Sequence, residues 1–412
     1  MKIKKIISLC ISGMLLLSLC GCGAEEKKRK ITVWVTDETR AITQTKLDEW
    51  LGSQEDKWRR KYTITVSIME TGEVVTQFLT DVEASADVFN FAQDQLSRLI
   101  AANAISPPGG SFLESIISEN DDGSIQAATQ DGKIYAYPET SDNGYFMYYD
   151  TSVITDPSTL EGILGQCSAA GKKFYFPLDN GWYNMSFFFA AGADCSYTCD
   201  SDGLFTGADC DLDSEAGLKA MKAMIALRDH PAYALSTGTD AAMFNPDGGT
   251  AGAIISIPAE AATAKAYLGK NYGAAPLPTF EVDGETFHMS GFKGYKLIGV
   301  KPHTDDDTTV FCHKIAEFLS GEEMQLARYD AAGWGPSNLK AQQNEKIVSD
   351  KALSALSEQF GYCREQGQYP NLFWDLMKGF GSDINAGKYT GEDDKVLKAA
   401  LADLQADIMK AR

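Results

Sequence analysis

Between residues 31 and 91 the chain alternates short apolar runs with longer amphipathic stretches, and that order leaves few folds open. ITVWV at 31–35 is an apolar run of strand length, followed by a polar turn and a segment carrying Ile42, Leu47, Trp50, Leu51 and Trp58 at near-helical spacing. TITVSI at 63–68 reads as a second strand. Val74, Val75, Phe78, Leu79 and Val82 then mark another amphipathic helix, and DVFNF at 87–91 a third, buried strand. The order βαβαβ predicts a mainly parallel sheet with helices on its faces. Ligands of such open sheets collect beyond the carboxyl ends of the strands, which directs attention to the residues just after Val35 and Phe91. With roughly 100–200 residues per domain, a chain of 412 has room for two such lobes.

Later segments repeat the theme. A strand pair is expected near 134–137 and 145–149, a helix over 214–229 with Asp213 and Ser214 as caps, a strand at 253–257, and a long terminal helix over 393–410. The Asp-rich stretch CDSDGLFTGADCDLDS at 199–214 lacks the DxDxDG spacing and terminal Glu of a calcium loop, so a hairpin leading into a capped helix is expected there. No Walker A motif, HExxH, GxSxG or GxGxxG in a strand–turn–helix setting occurs.

The first residues speak to compartment. Lys2, Lys4 and Lys5 precede an apolar run from Ile6 to Leu19, too short for a bilayer span of about 20 residues, which is the pattern of an export signal. Leu19-Cys20-Gly21-Cys22 follows. A small residue before Cys22, with Leu19 three before it, resembles the lipobox at which bacterial prolipoproteins are cleaved and diacylated. Cys20 is the poorer candidate because bulky Leu19 precedes it. The expectation is a signal peptide over 1–21, lipidation at Cys22 with a palmitate-type anchor, and a hydrated tether over 22–29. Removing the leader takes away three lysines and no acids, moving the formal charge from −20 to −23. With 57 Asp and Glu against 37 Lys and Arg, and no basic tract beyond residue 30, a polyanion such as nucleic acid is a poor partner.

Of nine cysteines, six lie beyond the leader, and an exported chain can oxidise them. Cys195-x3-Cys199-x10-Cys210 has no CxxC pair and no nearby His, so a local disulfide or buried thiols are expected rather than zinc, and no metal or cofactor is assigned.

An ordered set of segments runs through the chain: VWVTDE at 33–38, DVFNFAQDQL at 87–96, DGKIYAYPETSDNGYFMYYD at 131–150, NYGAAPLPTFEVDG at 271–284, SGFKGYKLIGV at 290–300 and GWGPSN at 333–338. Together they resemble the carbohydrate-binding lipoproteins of bacterial ABC importers, most closely the maltose/maltodextrin-binding branch. The resemblance implies an α/β fold of two lobes, the periplasmic-binding-protein or Venus flytrap arrangement, each a mainly parallel sheet flanked by helices and joined by three hinge crossovers. It places residues 30–140 and 277–335 in one lobe, and 143–276 and 336–412 in the other. It further implies a non-enzymatic monomer on the outer face of a cell membrane, of a Gram-positive bacterium, that closes on an oligosaccharide and presents it to permease subunits.

A sugar offers flat C–H faces and a rim of hydroxyls, so its binder needs aromatic plates and polar partners. By similarity, Glu38 and Asp94 are expected to meet hydroxyls, Phe91 to supply an aromatic and Gln95 an amide. The competing roles are a solvated loop charge for Glu38 and a helix N-cap for Asp94. Asp142 and Asn143, in the first crossover, are candidates to reach the cleft or to form a turn. Trp182 and Tyr183 in GWY, and Trp374 in NLFWDL, are stacking candidates whose alternative is core packing; Trp334 in GWGPSN either lines the cleft or packs the hinge. One departure concerns specificity. After AIISI the family usually has a tryptophan, whereas this chain reads Pro258-Ala259-Glu260-Ala261. Glu260 is therefore expected to replace a stacking plate with a hydroxyl contact, and an oligosaccharide other than a standard maltodextrin is an alternative ligand. The remaining alternatives are a different solute and a secreted glycoside hydrolase, which would also need paired carboxylates.

Overall fold

The computed structural model describes residues 28–200, 202–390 and 393–411. The leader, Cys20, Cys22 and most of the expected tether lie outside these. Arg29, expected to close the tether, instead opens the first strand, Arg29–Val35.

The first sheet follows the alternation of the sequence. Arg29–Val35 pairs in parallel with Tyr62–Ile68 on one side and Val88–Ala92 on the other, with Ile31 opposite Ile64 and Val33 opposite both Val66 and Val88. The expected single helix after the first strand is two, Asp37–Ser53 and Asp56–Lys61, broken at Gln54 and Glu55. Phe292–Val300 extends this sheet antiparallel to Val88–Ala92, and Tyr137–Asn143 pairs antiparallel with the same long strand. The second sheet runs Tyr233–Leu235, Lys173–Phe176, Ala251–Ser256, Phe146–Asp150, Tyr272–Ala275; its first two pairings are parallel and its last two antiparallel. Each sheet is thus parallel where helices cross over and antiparallel where the chain returns. The molecule is a two-lobed α/β structure.

Each lobe has its own core. On one face of the first sheet Trp58, Tyr62 and Phe311 stack, with Tyr62 and Phe311 ring centres 4.3 Å apart; on the other Trp34, Phe78, Phe89 and Phe91 pack together. The second lobe buries Phe174, Phe176, Phe187 and Phe188 between its sheet and helices.

Three details differ from the sequence reading. The strands near 134–137 and 145–149 are not a pair: Tyr137–Asn143 belongs to the first sheet and Phe146–Asp150 to the second, so the chain crosses between lobes at Gly144. A Cβ on Gly144 would stand 2.4 Å from the Phe360 ring, which is why no side chain fits there. The hairpin of Thr279–Val282 and Glu285–His288, expected in the first lobe, is seated on the second, with Phe280 buried 5.3 Å from Phe187 and Leu277 and Met289 in the same core. Burial of Phe280 moves that boundary from 277 to about 290. Pro336 to Gln342, expected in the second lobe, stays with the first, because Gln325 Oε1 accepts from the Ser337 and Asn338 amides at 2.7 and 2.9 Å.

Candidate functional site

The carboxyl ends of strands from both sheets converge on one cleft. Its larger compartment, about 620 Å³, is lined from the first lobe by Thr71, Asp94, Gln95 and Arg98, and from the second by Asn180, Trp182, Ser236 and Trp374. A smaller compartment of about 280 Å³ adds Glu38, Glu70, Tyr183, Lys296 and Trp334. Thr71, Asn143, Asn180, Trp182 and Thr237 line both, so the two are continuous.

Asp94 is held in a single 3-10 turn, Gln93–Gln95, just past the third strand. It does not cap the following helix, whose N-cap is Gln95 without a side-chain bond, so the capping alternative does not apply. Burial pushes its carboxyl up to about 6, against the opposing pull of the Arg98 guanidinium, its own backbone N–H, and Trp374 and Gln366. Arg98 also donates to Asn371 of the opposite lobe. Gln95 is engaged already: its Nε2 donates to Thr71 O at 2.6 Å and its Oε1 accepts from the Val75 amide at 3.4 Å, which fixes the loop bearing Thr71.

The second-lobe wall starts at the helix Gly181–Ala191. Asn180 caps it by accepting from the Trp182 amide at 3.0 Å, and this places Trp182 in the first turn, facing the cleft. The Trp182 indole stands edge-on to Tyr145, centres 4.8 Å apart, and donates to Gln366 Oε1 at 3.2 Å. Trp374 is half-buried on the helix Asn371–Asn385, braced by Phe292 and Tyr369. Tyr183 is nearly buried, its ring 4.6 Å from that of Tyr145, so it is part of the core and reaches only the smaller compartment.

At the crossovers, Asn143 lies in both compartments. Asp142 accepts from the Gly335 amide at 2.6 Å and lies 3.6 Å from Lys296 Nζ; its Oδ1 has no hydrogen-bond partner among the described residues. Lys296 in turn lies 4.2 Å from the centre of the Trp334 ring, so Trp334 both lines the smaller compartment and packs the hinge.

Two expectations are corrected. Phe91 is fully buried among Trp34, Phe78 and Phe89: its strand is covered on both faces, leaving the ring no route to the cleft. Glu260 lines neither compartment, and its Oε2 accepts from the Ala241 amide at 2.8 Å, joining two short helical turns. Pro258 and Ala259 form the wall instead, with no aromatic there.

Sequence reasoning missed Arg98, Gln366, Asn180, Lys296, Glu70 and Thr71. Arg98 follows Asp94 by four residues, across a 3-10 turn that runs into a helix, a spacing that could have flagged it; Asn180 stands where a helix cap belongs. Gln366, from a segment without apolar periodicity, gave no signal. Among charged groups lining the cleft, Glu38, Glu70, Asp94, Asp142, Asp179 and Asp375 outnumber Arg98, Lys296 and Lys378. The cleft is suited to a neutral, hydroxyl-rich ligand and poorly to an anion. No group of three or more His, Cys, Asp or Glu among the described residues is arranged to hold a metal ion.

Residues 55–355 match the family model of the bacterial extracellular solute-binding proteins, and the chain belongs to that family. Its fold is shared over nearly its full length with solved sugar-binding proteins. A structure described as being with acarbose is 27% identical, with TM-score 0.80 over 93% of this chain and 99% of that one. The maltodextrin binding protein MalE1 from L. casei BL23, without ligand, is 22% identical with TM-score 0.73, covering 93% and 100%. The Thermus thermophilus maltotriose binding protein, bound with maltotriose, is 18% identical with TM-score 0.73, covering 92% and 99%. No curated protein sequence matches. The family and the two neighbours from L. casei and Thermus thermophilus are binding proteins rather than enzymes.

Proposed function

We propose that this protein captures an uncharged oligosaccharide of the malto-oligosaccharide kind between its lobes and delivers it, unhydrolysed, to the permease of an ABC importer, while held at the outer membrane face by a lipid on Cys22. The observation that carries the reading is the half-buried pair Trp182 and Trp374 on one wall of a cleft whose other wall offers Asp94 and Arg98. Aromatic contacts contribute about 0.5–1.5 kcal/mol each beyond burial, and hydrogen bonds to charged groups about 1.5–3. Two of the first with two of the second come to about 4–9 kcal/mol, a range whose upper end reaches the roughly −8 kcal/mol of micromolar binding before ordering costs. The ligand gathers both sets of contacts only when the lobes are together, so binding favours the closed form. A glycan array followed by calorimetry with maltotriose tests this: binding without product release supports it, and no binding to any glucan rejects it. Cys22→Ser is expected to release the protein from membranes to the medium.

The Pro258–Ala259 wall favours a second reading within the same class. Without a ring there, an oligosaccharide of another linkage or branching fits the smaller compartment better than a linear glucan, and the same array separates the two.

A further inference from the structure

A hairpin of the second lobe reaches across to the first beside the cleft. Its strands, Cys195–Cys199 and Phe205–Cys210, are antiparallel, with Cys195 opposite Cys210 and the two joined by a disulfide at the base. The base is fixed to its own lobe: Tyr369 donates to Cys195 O at 2.8 Å and Tyr197 to Ile408 O at 3.1 Å. The tip is shaped by Asp200, whose Oδ1 accepts from the amides of Asp202 and Leu204 at 3.0 and 2.9 Å.

That tip does not end in solvent. Gln130 of the first lobe donates to Asp200 O at 3.0 Å, and Gln130 Oε1 accepts from Ser97 Oγ at 2.8 Å. Gly203, at φ +81°, lies so close to the Ser97 carbonyl that a Cβ would stand 1.8 Å from the oxygen and 3.1 Å from the Ala101 nitrogen. Ser97 adjoins Arg98, which lines the cleft and donates across to Asn371. Two bridges between the lobes therefore sit side by side, one inside the cleft and one at its edge.

We propose that the hairpin tip is a latch: Gly203 and Asp200 dock on Ser97 and Gln130 when the lobes come together, and this docking contributes to ligand affinity without touching the ligand. Its affinity arm rests on the sugar-binding reading; its conformational arm does not. Gly203 is a positioning residue: a methyl group there is incompatible with the docked arrangement and also strains the turn at φ +81°, whereas Gln130→Leu removes a docking contact from the first lobe and leaves the turn untouched.

The test compares the full protein with Gly203→Ala and with Gln130→Leu, the latter leaving the hairpin sequence intact. Small-angle scattering reads the lobe separation, calorimetry reads maltotriose affinity, and circular dichroism establishes that each variant is folded. A larger radius of gyration and about tenfold weaker binding in both variants is expected, tenfold being the scale of one such hydrogen bond lost. Unchanged radius in both folded variants overturns the latch, whatever happens to affinity. A larger radius in the variants of a protein that binds no glucan supports the latch and rejects the sugar reading.

Discussion

Asp94 is a buried carboxylate just past the third strand, and on the proposed sugar-binding reading its surroundings set how binding responds to acid. Its folded carboxyl titrates near 6, above the ordinary 3.8. Between those values the folded protein holds a proton that the unfolded chain has lost, so Asp94 favours folding less as pH rises through that window. A sugar hydroxyl that donates to the ionised carboxylate competes with the same proton. Affinity is therefore expected to rise as pH climbs through about 6 and to level off above 7, and Asp94→Asn should remove that inflection in a calorimetric pH series. Trp182→Ala and Trp374→Ala are each expected to weaken maltotriose binding by about tenfold or more, from lost ring contact and burial. That Asp94, Trp182 and Trp374 line the cleft was anticipated through the family resemblance, carried by short motifs near the ends of regular elements. Phe91 misled for a physical reason: in a strand buried on both faces, every ring looks like a candidate plate and none is free. Gln366, which binds Trp182 and lies beside Asp94, comes from a segment whose placement depends on long-range pairing, and nothing local announces it.

The elements themselves followed their periodicities closely where the pattern was long. The capped helix Glu215–Asp229, with Ser214 Oγ accepting from the Gly217 amide, and the terminal helix Asp394–Ile408 stand where expected. The Asp-rich stretch is indeed the end of a hairpin and the start of that helix. What local pattern did not show was partnership: neighbouring strands at Tyr137–Asn143 and Phe146–Asp150 share no ladder, because the hinge falls between them. Nor did it choose among six cysteines, since Cys195 and Cys210 are brought together by strand register while Cys167, Cys199, Cys312 and Cys363 stay free. The bridge closes a loop with a sequence separation of 15, for which chain entropy gives about 3 kcal/mol. Cys195→Ala with Cys210→Ala is expected to lower stability by about that much, read from urea unfolding, and reductant should shift the natural protein in the same direction.

On the scale of the whole molecule, two lobes were legible from length and repeated alternation, but their boundaries were not. A hairpin such as Thr279–His288 carries the same local signal on either lobe, and only the burial of Phe280 assigns it. The strand that leads into the first crossover holds Glu139, which is 3.3 Å from Arg328 with both side chains buried. Burial raises the Glu139 carboxyl and lowers the Arg328 guanidinium, each opposed by the partner's charge. Arg328→Met is expected to cost about 3–5 kcal/mol by stranding a buried carboxylate, and adding Glu139→Leu should restore most of it in urea unfolding curves.

Asn143 belongs both to the strand that becomes the hinge and to the surface a ligand would touch. On the proposed reading, a substitution there bears on the ligand surface and on the crossover at once. If the proposed function holds, drift toward a new ligand should accumulate first on the outer walls, and the crossover should be the last part to diversify.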